Sequence, residues 1–463
     1  MNEHAIQLRG KHPRFHYKSF NVEHDHDNLV FSYEFRIDPD ITFLPSIEIG
    51  NVPYDTYKKL SREVLDNLGF HLGLVEIPSY WKASCSPEIV ITAGSLDDYQ
   101  VAWWKNLLIK GMGQFFYTNQ IDFTSEDFVK IIAEKDHSHN YSTFDEVLSL
   151  NRILVLVGGG KDSSVTLDIL GKQSNRYEIG NLLVNPTLAA LQISDIGKYF
   201  ERILVKRTID PKLLKLNSEG YLNGHTPISA VLAFIGITCS LLFDYSQVVL
   251  SNERSSNEEN THYLGYTINH QYSKSFEFET LFREYVGKYI SSEINFFSFL
   301  RPLYEIQIAR YFSEIEHYHG VIRSCNRGQK DNEWCKDCPK CLSTFLLLSP
   351  YLKSDHLVRM FGGDLFSNPN LNELALQLAM KDKPKPFECV GTYEESLVAY
   401  YLSIKKRLSE EKDLPVVLKV VQRQLLKDDE QLDNRAEKLL SSWDTQNHLT
   451  GEFAKILKEA MKL

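Results

Sequence analysis

The sequence has 463 residues, which is too long for one ordinary hydrophobic core and predicts two or three domains. Its net charge of −10 counts against a nucleic-acid partner, which a basic excess or a basic stripe would favour. The sequence has no run of about 18 apolar residues and no apolar secretory signal near its start, so we expect no membrane partner and a cytoplasmic location.

The first part of the chain combines strand-like and helical patterns. Over residues 13–49, short runs such as "NLVFSYEF" and "ITFLPSIEI" alternate apolar and polar residues, which predicts an antiparallel meander. The segments "TYKKLSREVLDNLGF" and "DYQVAWWKNLLIKGM" have the apolar spacing of amphipathic helices. We therefore predict an N-terminal α+β domain over residues 1–150.

From Ile153 onwards, short β-branched runs alternate with helical segments. The runs "ILVLV", "IGNLLV", "RILVKR" and "QVVLSN" are separated by segments such as "SSVTLDILGK" and "PISAVLAFIGITCSLLF". This alternation is typical of an α/β fold with a doubly wound parallel sheet, which we predict over residues 151–350. Residues 351–463 are rich in Leu, Lys and Glu and are predicted to form a helical C-terminal region.

Three glycines lie at the turn between the strand "ILVLV" and the following helix. Glycine leaves backbone N–H groups open to an anion, and a helix N-terminus adds partial positive charge. Lys161 would supply a cation, Asp162 a ligand for Mg²⁺ and Ser163 a hydroxyl donor to phosphate. A tight turn without a ligand is the alternative. The predicted phosphate-binding residues are Gly158, Gly159, Gly160, Lys161, Asp162, Ser163 and Ser164.

This glycine loop differs from two common nucleotide motifs. A Walker A loop needs a glycine where Val155 stands and Ser or Thr after the lysine, and the third glycine of G-x-G-x-x-G is missing. The loop resembles the S-G-G-x-D-S pyrophosphate loop (PP-loop) of the N-type ATP pyrophosphatases, with Gly158 in place of the leading serine. The resemblance implies a HUP-like fold and an enzyme that splits ATP between its α and β phosphates and adenylates an acceptor.

Polar residues follow the strand "QVVLS", at an edge where ligands bind in doubly wound sheets. A solvated loop is the alternative for any one of these side chains. Upstream of that strand, His225 precedes an apolar helix and is either a site residue or part of a capping loop. The site residues predicted after the strand are Asn252, Glu253, Arg254, His270 and Lys274.

Four of the seven cysteines form one cluster, Cys325, Cys335, Cys338 and Cys341. Their short spacing predicts a tetrahedral zinc site, and because four thiolates fill the shell we expect the zinc to be structural. Reduced thiols without a metal are the alternative. A PP-loop followed by such a cluster also resembles the enzymes that make 7-cyano-7-deazaguanine.

Several segments together resemble one full-length protein type: "EIPSYWKASCSPEIVI", "GGGKDSS", "LSNERSSNEEN", "INHQYSKSFEFE", "CKDCPKC" and "KPFECVGT". The combination is similar to the ATP-dependent UDP-N-acetyl-α-D-muramoyl-L-alanyl-L-glutamate epimerases of bacterial peptidoglycan synthesis. The resemblance implies inversion of the terminal L-Glu of UDP-MurNAc-L-Ala-L-Glu to D-Glu through an acyl-adenylate, with ATP converted into AMP and pyrophosphate.

A pyrophosphate loop makes chemical sense in such an epimerase. The α-proton of glutamate is very weakly acidic beside a free carboxylate, and adenylation removes that negative charge, so the carbanion can delocalise as an enolate. Besides the loop residues Lys161, Asp162 and Ser163, a proton-transfer group is needed, and the sequence leaves its identity open. The candidates for this group are Lys274, His225, His270, Cys85 and Cys389.

Two other functions are compatible with the sequence. A related PP-loop enzyme could adenylate another acceptor, in deazaguanine nitrile synthesis, amide formation or tRNA modification. The acidic balance counts against tRNA, and the flanking domains count against the small nitrile synthase. A nucleotide-binding module without catalysis, as Gly158 would suggest, is the second alternative.

Overall fold

The protein is described from a computed structural model, which covers residues 2–134, 141–197, 201–427 and 431–463. Within these ranges a large, mostly parallel sheet lies between helices, which gives a mixed α/β fold. The strands are β1 (Arg14–Asp25), β2 (Asn28–Ile37), β3 (Ile41–Phe43), β4 (Ser46–Ile49), β5 (Glu88–Ser95), β6 (Lys130–Glu134), β7 (Arg152–Leu156), β8 (Glu178–Val184), β9 (Glu201–Thr208), β10 (Gln247–Leu250), β11 (Thr261–Tyr263), β12 (Tyr266–Ile268) and β13 (Asn295–Ser298).

Helices connect and cover these strands. Within the described residues they are α1 (Glu3–Lys11), α2 (Tyr54–Tyr57), α3 (Arg62–Trp81), α4 (Asp98–Gly111), α5 (Gly113–Thr118), α6 (Lys161–Gly171), α7 (Leu188–Ile196), α8 (Pro211–Ser218), α9 (Ile228–Leu242), α10 (Phe276–Tyr289), α11 (Glu305–Phe312), α12 (Pro339–Leu348), α13 (Ser354–Phe361), α14 (Asn372–Ala379), α15 (Tyr393–Ser409), α16 (Val416–Val421), α17 (Leu432–Leu440) and α18 (Gly451–Met461). None of them combines the length and the apolarity needed to cross a bilayer.

The parallel half of the sheet has the order β13-β10-β7-β8-β9. If these five strands are numbered along the chain and read from β9 to β13, the order is 3-2-1-4-5, as in doubly wound sheets. The winding reverses between β7 and β10. Successive side chains of β7 face opposite sides: Ile153 and Val155 share a core with α6 and α7, whereas Leu154 shares a core with α9 and α10. The α/β class predicted from the sequence is confirmed.

The N-terminal strands extend the same sheet. β1 pairs antiparallel with β2, and β2 pairs antiparallel with β3 and β4, which confirms the antiparallel pairing predicted for residues 13–49. β5 and β6 then add parallel to β1 at the far edge, a feature that the sequence patterns did not predict. The antiparallel pair β4–β9 joins this half to the doubly wound half, with Ser46 opposite Thr208.

A buried ion pair supports this junction. Arg207 of β9 donates from Nη2 to Glu76 Oε2 at 2.6 Å and to Ser79 Oγ at 2.9 Å, and Glu76 is 1% exposed. Both acceptors belong to α3, which packs across the N-terminal strands. The boundary near residue 150 predicted from the sequence therefore falls between β6 and β7 of one continuous sheet.

The described residues after 353 contain helices and short helical turns and no strand. Their apolar side chains share a core with α11 and α12. Glu395 of α15 is fully buried; it accepts hydrogen bonds from Ser255 Oγ at 2.7 Å and from the backbone N–H of Ile306 at 3.0 Å. The C-terminal helices thereby fix the segment after β10 and the start of α11, which both border the site.

Candidate functional site

A cavity of about 350 Å³ lies at the carboxyl ends of the parallel strands, at the point between β7 and β10 where the winding of the sheet reverses. Ligands bind at this position in doubly wound folds. Three parts of the chain form most of its wall: the glycine loop, the segment after β10 and the segment between α11 and α12. The polar and glycine residues around the cavity are Gly158, Gly159, Gly160, Lys161, Asp162, Ser163, Ser229, Ser251, Asn252, Glu253, Lys274, Glu305, Arg323, Ser324, Asn326, Gln329, Lys340, Thr344 and Cys389.

The glycine loop presents the start of α6 to this cavity. Gly160 is the N-cap of α6 and has no side chain to satisfy the first backbone N–H groups, so these donors are available to an anion. Ser163 Oγ donates to the carbonyl oxygens of Gly158 at 2.8 Å and Gly160 at 3.1 Å. Ser164 is fully buried behind the loop and also donates to Gly160 O. The two hydroxyls therefore brace the loop.

The loop is closely packed on one side only. A Cβ on Gly159 would lie 3.0 Å from Arg323 O, 3.2 Å from Thr187 Oγ1 and 3.3 Å from Ala189 Cβ. Arg323 cannot retreat freely, because its backbone N–H donates to Gly159 O at 2.7 Å. A Cβ on Gly158 meets no atom within 4 Å, so the loop has room for the serine found there in the S-G-G-x-D-S pattern.

We expect Gly159→Ala to lower the midpoint of thermal unfolding by several degrees, because overpacking of this kind costs about 1–3 kcal/mol. Gly158→Ala is the matched control and should change the midpoint by no more than about 1 °C. Differential scanning calorimetry of the two variants measures both values. Equal midpoints for the two variants would contradict the packing described for Gly159.

Three carboxylates meet at the floor of the cavity. One oxygen each from Asp162, Glu253 and Glu305 lies within 4.8 Å of the other two, a grouping that fits a divalent cation with oxygen ligands. Lys161 Nζ lies 2.7 Å from Asp162 Oδ1 and 3.6 Å from Glu305 Oε2. Sequence reasoning proposed Asp162 and Glu253 for this region; Glu305 was missed.

The ionisation of this group reflects its burial. Burial, followed by the charge of Asp162, raises the pKa of Glu253, and burial raises the pKa of Glu305 to about 8. Burial acts to lower the pKa of Lys161, but the charges of Asp162 and Glu305 outweigh it, so the pKa of Lys161 is raised. A cation placed among these carboxylates would favour their ionised forms, and Lys161 already does so in part.

Lys274 and Cys389 line the cavity together. Lys274 Nζ lies 3.3 Å from Cys389 Sγ. Burial acts to lower the pKa of Lys274, but Cys389 and Glu253 raise it. Burial acts to raise the pKa of Cys389, but Lys274 and Lys340 lower it below the usual thiol value.

His225 and His270 pack against each other, with ring centroids 4.2 Å apart, and neither contributes to the cavity wall. His270 Nδ1 lies 2.5 Å from Gln114 Oε1. Burial is the main reason that the pKa of His225 falls to about 3 and that of His270 to about 4. Both rings are therefore neutral near pH 7.

The remaining predicted site residues occupy different places. Asn252 lines the cavity and donates to Ser298 Oγ at 3.1 Å. Arg254 lies outside the cavity wall; its Nε is 3.0 Å from Asp444 Oδ2 and its guanidinium carbon lies 4.5 Å from the centroid of the Tyr304 ring. Cys85 is fully buried beside Arg9, and burial raises the pKa of its thiol to about 12.

The four clustered cysteines converge as expected for a metal centre. Their Sγ atoms all lie within 4.8 Å of one another, with Cys325 to Cys338 at 3.9 Å and Cys335 to Cys341 at 3.7 Å. Four thiolates bound to zinc at about 2.3 Å would be about 3.8 Å apart. The residue types and the spacing fit that geometry.

Several cavity residues carried no signal in the sequence. Glu305 occupies the first turn of α11, where acidic residues are common for purely local reasons. Arg323, Ser324 and Lys340 lie next to the cysteines and reach the cavity because the cysteine cluster folds their segment over the glycine loop. Their place at the cavity can be seen only in the folded protein, where residues far apart in the chain come into contact.

Comparison with known proteins identifies relatives along most of the chain. The profile of the MurL N-terminal domain matches residues 7–299, and that of the MurL C-terminal domain matches residues 321–437. Three proteins named UDP-N-acetyl-alpha-D-muramoyl-L-alanyl-L-glutamate epimerase are similar to the chain. The one from Micromonospora sp. is 35% identical over 74% of this chain and 75% of its own length.

The relative from Salinispora tropica is 35% identical over 77% of this chain and 78% of its own length. The relative from Xanthomonas oryzae pv. oryzae is 32% identical over 71% of this chain and 72% of its own length. No solved structure matches the chain. Because the two domain profiles match most of the sequence and these relatives align over more than two thirds of it, the chain belongs to the MurL family.

Proposed function

We propose that the protein is an ATP-dependent epimerase that inverts the terminal L-Glu of UDP-MurNAc-L-Ala-L-Glu. The relatives bear the name of this epimerase. The single observation that best supports the ATP-dependent step is the joint placement of the glycine loop and three carboxylates around one cavity. Because the reaction needs ATP and a nucleotide-linked muropeptide, we propose that it takes place in the cytoplasm.

The proposed nucleotide site uses the features of the glycine loop. The N-terminus of α6 would hold the pyrophosphate part of ATP through free backbone N–H groups, and Lys161 would neutralise part of its charge. Asp162, Glu253 and Glu305 would hold Mg²⁺, which would stabilise charge on the departing pyrophosphate. We therefore propose a nucleotide site of the PP-loop type, in which Gly158 replaces the usual serine.

The chemistry explains why an epimerase needs this site. A carboxylate oxygen of the substrate attacks the α phosphorus of ATP, pyrophosphate leaves, and a mixed anhydride with AMP forms. The anhydride no longer carries the carboxylate charge, so its α-proton can be removed to give an enolate. Reprotonation on the opposite face inverts the centre, and water releases AMP and the D-glutamyl product.

We propose that the cysteine cluster holds a structural zinc ion. Its four thiolates would fill the coordination shell, so the metal would have no open position for the reaction. Its contribution would be to fold residues 325–341 and to keep the neighbouring Arg323, Ser324 and Thr344 against the glycine loop.

The proposal predicts that the protein, ATP, Mg²⁺ and UDP-MurNAc-L-Ala-L-Glu together yield AMP, pyrophosphate and D-glutamate in the hydrolysed product. Chromatography of the nucleotides and chiral analysis of the glutamate measure this. UDP-MurNAc-L-Ala is the matched control and should give no AMP above background. AMP formation only with a different acceptor would favour another PP-loop activity, and ATP binding without any AMP would favour a non-catalytic module.

A further inference from the structure

The wall of the cavity contains one reactive pair that phosphate and metal binding do not use. Lys274 and Cys389 face each other at 3.3 Å between Nζ and Sγ, and both line the cavity that holds the glycine loop and the three carboxylates. Cys389 lies outside the four-cysteine cluster. A thiol in contact with a half-buried ammonium group is a typical arrangement for a reactive thiolate.

Hydrogen bonds tie the backbone of Lys274 and the segment that precedes Cys389 to the same region. The carbonyl oxygen of Lys274 accepts from Ser256 Oγ at 3.1 Å and from the fully buried guanidinium of Arg301. The segment that carries Cys389 is tied to the same region, because Asn260 donates from its side chain to Pro386 O at 2.8 Å. The contact between the two side chains therefore belongs to a pre-organised wall.

The charges around Cys389 favour its thiolate. Lys274 and Lys340 lower the pKa of Cys389, while burial and the charge of Asp162 oppose them without cancelling them. The other thiols outside the four-cysteine cluster behave differently: burial raises the pKa of Cys85 to about 12 and raises that of Cys239 even further. Of the three thiols outside that cluster, Cys389 is thus the one whose pKa is lowered and that lines the cavity.

The other candidate bases are less suitable. Lys274 is held as an ammonium group, because its pKa is raised. The rings of His225 and His270 lie outside the cavity wall. The cavity carboxylates Glu253 and Glu305 belong to the group that fits a cation.

We propose that Cys389, paired with Lys274, is the catalytic base that removes the α-proton of the adenylated glutamyl group, an assignment that rests on the proposed function. The thiolate takes the proton, and the electrons of the Cα–H bond move into the acyl group to form an enolate. Lys274 is the positioning residue: it keeps the sulfur ionised and directed at the cavity. After turnover the thiol returns its proton to water.

The 3.3 Å contact also limits what the pair can do. Two groups so close together reach the same face of the α-carbon, so they cannot by themselves deliver a proton to the opposite face. That proton comes from water, which the proposed reaction already requires for the release of AMP. In D₂O the D-glutamyl product should therefore carry one deuterium at its α-carbon.

The decisive test uses full-length Cys389→Ala with ATP, Mg²⁺ and UDP-MurNAc-L-Ala-L-Glu. We expect AMP release to stay within about 5-fold of the unmodified protein, while formation of D-glutamate and deuterium incorporation fall at least about 100-fold. The adenylated substrate would then hydrolyse with its L configuration intact. Cys239→Ala, which alters a buried thiol of α9, is the matched control and should retain epimerisation.

The outcomes separate the two proposals. D-glutamate formation by Cys389→Ala within about 5-fold of the unmodified protein overturns the assignment of Cys389. If the unmodified protein itself forms no AMP with this substrate, the proposed function fails instead. Loss of both activities in a variant with an unchanged unfolding midpoint also counts against a role confined to proton transfer.

A second measurement does not depend on turnover. Iodoacetamide should modify Cys389 faster than Cys85 and Cys239 at pH 7, because alkylation follows the thiolate. Lys274→Met should slow this modification at least about 10-fold, since the ammonium group that favours the thiolate is gone. Peptide mass spectrometry gives the rate at each cysteine. An unchanged rate at Cys389 in Lys274→Met would refute the pairing.

Discussion

Asp162→Asn is expected to lower substrate-dependent AMP formation by about 1,000-fold, with D-glutamate formation falling in parallel. The amide keeps the size of the side chain but removes one of the three carboxyl groups that meet within 4.8 Å at the cavity. It also removes the negative charge that lies 2.7 Å from Lys161 Nζ, so the ion pair that orients the lysine in the loop is lost. Both changes weaken the stabilisation of negative charge on the departing pyrophosphate.

Nucleotide chromatography and chiral analysis of glutamate measure this effect at saturating ATP and Mg²⁺. Asp195→Asn is the matched control, because Asp195 lies on α7 with a side chain that is 61% exposed, away from the cavity wall. It should leave both rates within about 2-fold. Retention of a tenth or more of the AMP formation by Asp162→Asn would show that the three carboxylates do not hold the catalytic cation. This pattern also differs from that of Cys389→Ala, which should keep AMP formation.

Cys338→Ser is expected to abolish zinc binding and to lower the unfolding midpoint by about 10 °C or more. Cys338 is buried, caps α12 and accepts a hydrogen bond from the backbone N–H of Cys341 at 3.4 Å. Without the metal, little regular structure remains to hold the long segment between α11 and α12, and Arg323 would lose its fixed contact with Gly159. AMP formation should therefore fall as well.

Atomic emission spectrometry of the purified protein should give one zinc per chain, and calorimetry gives the midpoint. Cys239→Ala again serves as the control, since it removes a buried thiol without touching the cluster, and its midpoint should fall by only a few degrees, about 2–4 °C. An unmodified protein that contains no zinc and unfolds at the same temperature with or without a chelator would contradict the structural role of the cluster.

Sequence patterns predicted the features that depend on neighbouring residues. The strand before the loop, the glycines and the start of α6 are contiguous, so their order already indicated a turn that presents free N–H groups to an anion. The four cysteines span only Cys325–Cys341, and their convergence follows from that short spacing. The alternation of strands and helices predicted the α/β class, because it reports local burial.

Features that depend on distant residues could not be predicted in this way. Glu305 joins Asp162 at the cavity only because α11 follows β13, the strand beside β10. Lys274 and Cys389 are both candidates from the sequence, but their contact could not be predicted. It forms in the fold, where Asn260 ties the segment of Pro386 to the region after β10. Likewise, no side-chain pattern identifies β4 and β9 as partners, because the hydrogen bonds between these two strands are made by the backbone.

The β4–β9 pair has a consequence for synthesis of the protein. About 150 residues separate the two strands, so at 5–20 residues per second the ribosome needs about 8 to 30 s to supply the partner of β4. During that interval the nascent chain displays an open strand edge, a template for pairing with other chains. Slower translation would lengthen this exposure, and chaperones that shield strand edges would be needed most while residues 50–200 emerge.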